Sequence, residues 1–228
     1  MKWTCLTLVF VTAGFYSFAQ NPNFQGAETG NNHLSVNISV VGSPAFTVAD
    51  GFFDEAEKYE RSGDYDNAVA LYNRAAKEYQ EDKKYARYGA TLIKLSNTHL
   101  VLSNYAEAEK IVLKQVLKNY TRIGSRSGQM AAYQQLGKIY LAANKLPQSL
   151  WFYTQQGILA LQLNDKSAYI ESVIGIASVK IKKKDYQLAT KDLNNAELLS
   201  KNANIVKYNQ AIKSNRAIIA EKTTKRKV

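Results

Sequence analysis

The sequence has little of what disulfide, metal and catalytic chemistry require. It contains one cysteine, Cys5, and two histidines, His33 and His99, among 228 residues. Cys5 lies in an apolar N-terminal run that we expect to be removed, which leaves a chain without thiols for an oxidising compartment. No His-x-x-x-His pair, cysteine cluster or Glu-x-x-His pair offers the spacing of a metal site. We therefore expect no metal and no other cofactor.

A catalytic constellation is missing as well. No glycine-rich loop follows a strand as phosphate-binding loops do, and no serine, histidine and acid are arranged as a nucleophile with its base. His33 falls in a polar segment, and His99 takes a helix position where an aromatic side chain packs. The carboxylates of residues 55–60 share their helix with Lys58 and Arg61, which is typical of a solvated charged face. The sequence predicts that the protein is not an enzyme.

Proline is scarce, and two of the three prolines, Pro22 and Pro44, lie in residues 20–49. This segment is rich in Asn and Gly, and we predict a flexible linker. Four apolar residues alternate with polar ones inside it: Leu34, Val36, Ile38 and Val40. The alternation indicates a strand that docks along the rest of the protein or pairs with another protein's sheet edge. A disordered tether is the alternative.

Residues 1–19 have the pattern of a secretory signal peptide. Lys2 precedes an uncharged apolar run, and Ser17 and Ala19 are the small residues before a predicted cleavage at Gln20. We expect export to the periplasm or the medium. Short signals that end in Ala-Gln are similar to those of envelope proteins in Bacteroidota-type bacteria. An uncleaved signal that tethers the protein to the inner membrane is the alternative.

Four copies of one helical pattern occupy residues 50–203, with copy-to-copy spacings of 40, 41 and 40 residues between equivalent positions. Each copy supplies two small residues twelve positions apart, flanked by large apolar ones. The small pairs are Ala56 with Ala68, Ser96 with Ala108, Gly137 with Ser149, and Ala177 with Ala189. Small residues let two helix backbones approach while large ones fill the adjoining grooves. The pattern predicts a stack of helix pairs.

This order of small and large residues, with the Leu136-Gly137-x-x-Tyr140 run, resembles the tetratricopeptide repeat (TPR) over two thirds of the chain. The resemblance implies an all-α fold: a right-handed α-solenoid of about four TPR-like helix pairs. Its helices should be longer than those of the common TPR, which repeats every 34 residues or so, because the period here is about 40 residues and the proline that closes the common repeat is missing. Pro147, the only proline in the repeats, falls in the first turn of a helix, where its missing N–H does no harm.

Residues 204–228 are predicted to form a capping helix and a basic tail. Ile205, Tyr208, Ile212 and Ile219 share one helical stripe. Because a stacked array leaves its last apolar face open, an atypical terminal helix with a polar outer surface is expected. With two helices in each repeat, the cap makes nine.

The formal net charge is +11, and the excess is concentrated near the C-terminus. From Val179 onwards, thirteen Lys or Arg residues stand against four Asp or Glu. This imbalance predicts attraction to an anionic surface such as acidic lipid head groups, a cell-wall polymer or an acidic protein. The alternative is a solvated helix end, since basic residues also complement the helix dipole there. No recognition motif accompanies the charge, so a nucleic-acid partner is not expected.

In the TPR family, ligands bind the concave surface lined by the first helix of each pair. The resemblance places three residues from each repeat there: Phe53, Glu57 and Glu60; Ile93, Asn97 and Leu100; Gln134, Lys138 and Leu141; Ile174, Ser178 and Ile181. Such a mixed surface suits an extended peptide or a helix of a protein partner, with Asn97, Gln134 and Lys138 as hydrogen-bond donors. Packing against neighbouring turns is the alternative for each residue.

Two functions remain open at this point. The first is an exported, non-enzymatic scaffold that binds a protein or peptide in its groove. The second is an extracytoplasmic sensory or regulatory input module that works with a separate kinase or regulator.

Overall fold

The computed structural model describes residues 46–224, and this range contains nine helices and no strand. The bounds are as follows: α1 Val48–Ser62, α2 Tyr65–Glu81, α3 Tyr85–Val101, α4 Tyr105–Ile111 continuing through Val112–Val116 and Leu117–Arg122, α5 Arg126–Ala142, α6 Leu146–Gln162, α7 Lys166–Lys182, α8 Tyr186–Asn202 and α9 Asn209–Thr224. The predicted all-α solenoid is confirmed.

The helices stack in pairs along the chain. Every helix packs against the next one, and α3, α5, α7 and α9 also contact each other in that order. The first helices of successive pairs therefore form a continuous layer, and α2, α4, α6 and α8 form a second one. Each pair buries its apolar stripe against its neighbours, as repeat proteins do.

All eight turns between the helices use the same backbone device. One residue in each turn has a left-handed backbone: Gly63, Lys83, Ser103, Gly124, Asn144, Asn164, Lys184 and Asn204. The N–H of the following residue donates to the carbonyl five residues earlier at 2.8–3.0 Å in every turn. This is the Schellman motif, which satisfies carbonyls that a helix end leaves without partners. Its recurrence fixes the reversal of chain direction about every 20 residues.

The small residues of the repeat lie where the two helices of a pair meet. Ala56, Ala68, Ala108, Ala177 and Ala189 have no exposed surface. The two serines at such positions also donate hydrogen bonds across the contact. Ser96 Oγ donates to the carbonyl of Ala108 at 3.1 Å, and Ser149 Oγ donates to that of Gly137 at 2.8 Å. The contacts therefore combine close packing with satisfied buried hydroxyls.

Two tyrosine rings occupy spaces that only glycine leaves open. Tyr120 lies against Gly89 and Gly128, and a Cβ atom on Gly89 would stand 2.6 Å from its ring. Tyr153 lies in the same way against Gly137 and Gly175, and a Cβ atom on Gly137 would stand 2.7 Å from the Tyr153 ring. Each ring thus wedges between two first helices, α3 and α5 for Tyr120, and α5 and α7 for Tyr153.

The unequal repeat spacing has a structural cause in α4. Its middle segment, Val112–Val116, is π-helical, and α4 spans 18 residues where α2, α6 and α8 each span 17. The added residue accounts for the one interval of 41. With this added residue, the carbonyl of Tyr120 accepts the turn hydrogen bond, as the carbonyl of Tyr79 does at the end of α2. The sequence-based prediction did not include this π-helical turn.

Some boundaries differ from the expected ones. Helix α1 begins at Val48, inside the segment predicted as linker, because Thr47 and Asp50 form a capping box there. Helix α9 begins at Asn209 rather than 204, because Asn204 takes the left-handed turn. The predicted signal peptide, the strand within residues 33–41 and the last four residues lie outside the described range. Within that range, no helix combines the length and the hydropathy of a membrane span.

Candidate protein-binding surface

Polar side chains connect the layer of first helices. Several of these contacts join residues that are 37 positions apart, so they recur at the same height on neighbouring helices. We call the surface that carries them, on α1, α3, α5, α7 and α9, the first-helix face. It holds the twelve residues that the TPR resemblance selects.

Between α1 and α3 the connection is a charged cluster. Lys94 Nζ lies 2.7 Å from Glu57 Oε1 and 3.6 Å from Glu60 Oε2. Glu60 also accepts hydrogen bonds from the Tyr72 hydroxyl at 2.8 Å and from Asn97 Nδ2 at 3.4 Å. Burial alone would lower the pKa of Lys94, but the two carboxylates raise it above its ordinary value. Glu57, Glu60 and Asn97 therefore already have partners within the protein.

The junctions further along the chain are bridged in a similar way. Gln134 Nε2 donates to Glu171 Oε1, and Lys138 Nζ lies 4.0 Å from the same oxygen. Ser178 Oγ donates to Asn215 Oδ1 at 3.2 Å, which ties α7 to α9. These bridges fix the spacing of α5, α7 and α9 by hydrogen bonds as well as by apolar packing.

The junction between α3 and α5 differs from the others. The side chains of these two helices form one hydrogen bond within the described range, from Gln135 Nε2 to Ser96 Oγ at 3.4 Å, and both residues are buried. Asn97 and Gln134, the pair 37 residues apart here, bond to other helices instead. Lys138 also lies on α5, beside Glu171 of α7, and its side chain is 43% exposed. Among the twelve selected residues it is the one most accessible to a ligand.

The apolar members of the predicted set contribute mainly to packing. Ile174 and Ile181 are buried, with 8% and 9% exposure, so they are not available to a ligand in this structure. Ile174 belongs to a core cluster with Leu193 and Tyr208, because α9 covers α7 there. The other four are half-buried: the Phe53 ring contacts that of Tyr72, Ile93 and Leu100 pack on the main core, and Leu141 lies on α5.

Three polar residues of the first-helix face were not in the predicted set. They are Lys94, Glu171 and Asn215, and each binds a predicted residue. Their signal was present in the sequence, since each follows its partner by 37 positions. That separation is one repeat less about one helical turn, which is where a neighbouring first helix presents its side chain.

A second charged cluster ties the N-terminal end together. Asp50 Oδ1 accepts hydrogen bonds from the Tyr79 hydroxyl at 2.5 Å and from Arg87, and Asp50 Oδ2 accepts from the Thr47 N–H at 2.9 Å. Burial raises the pKa of Asp50, but the hydrogen bonds and the Arg87 charge outweigh it and lower the pKa to about 2. One carboxylate thus links α1, α2 and α3.

Metal-ligating side chains are dispersed in the part of the chain that the structure describes. Within residues 46–224, no three His, Cys, Asp or Glu side chains form a group that could hold a metal ion. His99 is half-buried in α3, and burial lowers its pKa.

An apolar pocket of about 370 Å³ lies at the C-terminal ends of α6 and α8, over the first turn of α7. Leu161, Tyr169, Ile170 and Leu199 line it. At the end of α6, the residue whose carbonyl accepts the turn hydrogen bond is Ala160. The equivalent residues of α2 and α4 are Tyr79 and Tyr120. A small residue at this position leaves more room than the tyrosines leave in the earlier repeats.

Comparison with known proteins supports the fold. No protein-family model matches the sequence, and no curated protein sequence matches it. Two crystal structures are similar in fold. BtubC (BKLC) from P. vanneervenii has a TM-score of 0.60 at 18% identity over 68% of this chain, and the chain spans 64% of BtubC. The apo form of RapI has a TM-score of 0.63 at 13% identity over 77% of this chain and 70% of its own. At these identities the likeness shows the helical-repeat fold alone.

Proposed function

We propose that this protein is an exported, non-enzymatic TPR-like scaffold that binds a protein or peptide on its first-helix face. The observation that carries the proposal is that Lys138 of α5 is exposed while, within the described residues, no surface side-chain bridge joins α5 to α3. Helical-repeat solenoids use their extended surfaces for binding. The chemistry of this surface, with a cation beside amides and half-buried apolar side chains, suits a peptide or helix with a carboxylate near an apolar residue.

The charge pattern along the face favours one orientation of such a ligand. Glu57 and Glu60 lie on α1 at one end, and Lys138 lies on α5. A carboxylate of the ligand is therefore attracted to the α5 side and repelled from the α1 side. Part of the attraction is already taken up, because Glu171 lies 4.0 Å from Lys138. A ligand carboxylate would compete with Glu171 for that lysine.

The test is affinity capture from the envelope fraction of the source bacterium with purified protein as bait. Lys138→Glu should abolish the recovery of a defined partner because it reverses the charge of the most exposed of the twelve selected residues. Lys166→Glu makes the same charge change at an exposed lysine of α7 that has no ion pair within the described residues. Equal recovery by the two variants would remove the first-helix face from consideration.

Export is part of the proposal and has its own test. The support is the pattern of residues 1–19, with Ser17 and Ala19 before Gln20. N-terminal sequencing of the protein recovered from the periplasm or the medium should begin at Gln20. Retention of Met1 in a membrane fraction would favour the tethered alternative.

The basic C-terminal region is proposed as a second contact, with an anionic surface. Lys191, Lys207 and Lys213 are exposed there, and no carboxylate pairs with them within the described residues. Vesicles that contain acidic lipid should bind the protein in a salt-sensitive way, and deletion of residues 222–228 should weaken that binding. Binding that does not respond to the deletion would leave only the solvated helix end.

A further inference from the structure

A pocket of about 270 Å³ on the other helix layer has a lining unlike that of the first-helix face. It lies between the end of α2 and the second half of α4, over the first turn of α3. Its wall is formed by three cations, three amides and a tyrosine: Lys114, Lys118, Arg122, Gln80, Gln115, Asn119 and Tyr88. We call it the basic pocket. No carboxylate of the described residues lines it.

Two of its cations are unpaired within the described residues. Lys114 and Lys118 are exposed, and neither has a carboxylate oxygen within 4.0 Å among residues 46–224. They are four residues apart on α4, so they project from one side of the helix. Like charges at this spacing repel each other, which disfavours the arrangement unless an anion compensates it.

The third cation is held in place. The Arg122 guanidinium lies 4.0 Å from the centre of the Tyr85 ring, and its Nη2 donates to Asn119 Oδ1 at 3.4 Å. Asn119 is buried and donates in turn to the Tyr85 carbonyl at 2.7 Å. Guanidinium has five N–H donors, so these contacts orient Arg122 and leave donors for a ligand. A pre-oriented cation binds an anion without a large loss of side-chain freedom.

The π-helical turn of α4 forms part of the pocket wall. Lys114 and Gln115 lie within Val112–Val116, and Gln115 Oε1 accepts a hydrogen bond from the Tyr88 hydroxyl at 3.4 Å. Single π-helical turns inside α-helices are rare and are found frequently at functional sites. Here the turn rotates the rest of α4 relative to its first half, which sets where Lys118 and Arg122 lie relative to Lys114.

The equivalent place two repeats later shows that packing does not require cations. The apolar pocket occupies it, and Tyr169 takes the place of Tyr88 at the same position of a first helix. Counted from the turn carbonyls, Lys118 corresponds to Leu198 and Arg122 to Asn202. Gln80 likewise corresponds to Leu161. The corresponding place between α6, α7 and α8, where α8 has no π-helical turn, thus accepts neutral residues, so helix stacking alone does not require the three cations.

We propose that the basic pocket binds a compact, multiply charged oxyanion such as a diphosphate or a small polycarboxylate. Lys114, Lys118 and Arg122 supply the counter-charge, and the Gln80 and Gln115 amides and the Tyr88 hydroxyl supply further hydrogen bonds. Charge-assisted bonds of this kind are shorter and stronger than neutral ones. The volume is below the range typical of drug-sized ligands, which suits a ligand of a few heavy atoms. The site is separate from the first-helix face and does not depend on the proposed function.

The test is isothermal titration calorimetry of the protein from Gln20 to Val228 at low ionic strength, with inorganic pyrophosphate and, separately, with citrate. Lys114→Gln with Lys118→Gln should weaken the binding about tenfold or more, because it removes two of three counter-charges. Lys58→Gln with Lys166→Gln is the matched control, since it removes the same charge from two exposed lysines outside the pocket. The control should bind like the unaltered protein, and circular dichroism should show that both variants are folded.

The titration distinguishes binding in the basic pocket from a general effect of net charge. Saturable 1:1 binding that is lost only in the pocket variant supports the site, and the tighter probe shows whether phosphate or carboxylate is preferred. An equal loss in both variants would mean that binding follows net charge alone and would overturn the proposal. So would the absence of saturable binding by the unaltered protein up to about 10 mM of either probe, since sites with millimolar affinity are detectable at that concentration.

Discussion

Replacing Gly128 by alanine should destabilise the protein, although alanine is the better helix former. Gly128 lies in α5, and the three atoms nearest to an added Cβ all belong to the Tyr120 ring, closer than real Cβ atoms approach other atoms. The ring cannot yield easily, because Gly89 contacts it on another side. Helix propensity would gain about 1 kcal/mol. Because glycines confine the ring on two sides, we expect a cost of about 3 kcal/mol, at the upper end of the usual range for overpacking, and a net loss of stability of about 2 kcal/mol.

The matched control is Gly51→Ala. Gly51 also lies inside a helix, but the nearest atom to an added Cβ is in the Phe46 ring at 3.7 Å, an ordinary van der Waals distance. This variant should gain about 0.5–1 kcal/mol from helix propensity. The two changes therefore have opposite signs. Urea unfolding followed by circular dichroism measures both, provided that the slope with denaturant stays the same.

A double-mutant cycle tests the assigned cause. In a Tyr120→Leu background the ring is absent, so Gly128→Ala should cost much less than in the original protein. If Gly128→Ala is neutral or stabilising, or if its cost is unchanged when Tyr120 is replaced, the wedge of Tyr120 between α3 and α5 does not hold this region together.

The turn residues and the N-terminal cluster lead to two further predictions. Lys184→Gly should stabilise the protein by about 1 kcal/mol in urea unfolding, because a left-handed backbone costs roughly that much for a residue with a Cβ, whereas Gly63→Ala should destabilise it similarly. A loss of stability in Lys184→Gly would contradict the turn assignment. Because the pKa of Asp50 is lowered from 3.8 to about 2 in the folded protein, its contribution is complete above pH 4 and is lost as the pH falls through 2. That contribution is about 1–2 kcal/mol after allowance for solvent screening, and Asp50→Asn should remove this part of the acid sensitivity of the melting temperature. An unchanged pH dependence in that variant would refute the role of Asp50.

The helix pairs could be predicted because packing leaves a strong signal in sequence. A close contact between two backbones requires Ala, Ser or Gly at both sites, so pairs such as Ala56 with Ala68 recur wherever the contact recurs. The left-handed backbone of Lys83 and Lys184 has no such signal, since their residue type does not favour that conformation. The hydrogen bond of the Schellman motif, rather than local preference, stabilises that conformation there.

The π-helical turn of α4 could not be predicted from residue types. The spacing of 41 residues between the second and third copies was its only trace, and an added residue can equally enter a loop. With the residue in the helix, the Tyr120 carbonyl accepts the turn hydrogen bond and the Tyr120 ring lies against Gly89 and Gly128. These contacts are between helices, and residue types within one repeat do not show them.

Prediction of the binding surface was limited by the neighbouring helices. Family positions identify which side of a first helix faces inward, but they do not show what the next helix covers. Ile174 is buried because α9 covers α7, and Lys94 and Glu171 belong to the surface because they pair with residues on adjacent helices. Such contacts join two polar or charged side chains that are 37 residues apart, on neighbouring first helices. A residue pattern within one repeat cannot reveal them.

Site-specific photo-crosslinking in the cells that naturally produce the protein tests the binding surface most directly. A photoreactive amino acid at Asn97, beside the α3–α5 junction, should yield a discrete adduct with a partner protein or peptide. The same group at Lys77, which is 74% exposed on α2 in the other helix layer, should not. An adduct at Lys77 alone, or equal adducts at both positions, would contradict the assignment of ligand binding to the first-helix face.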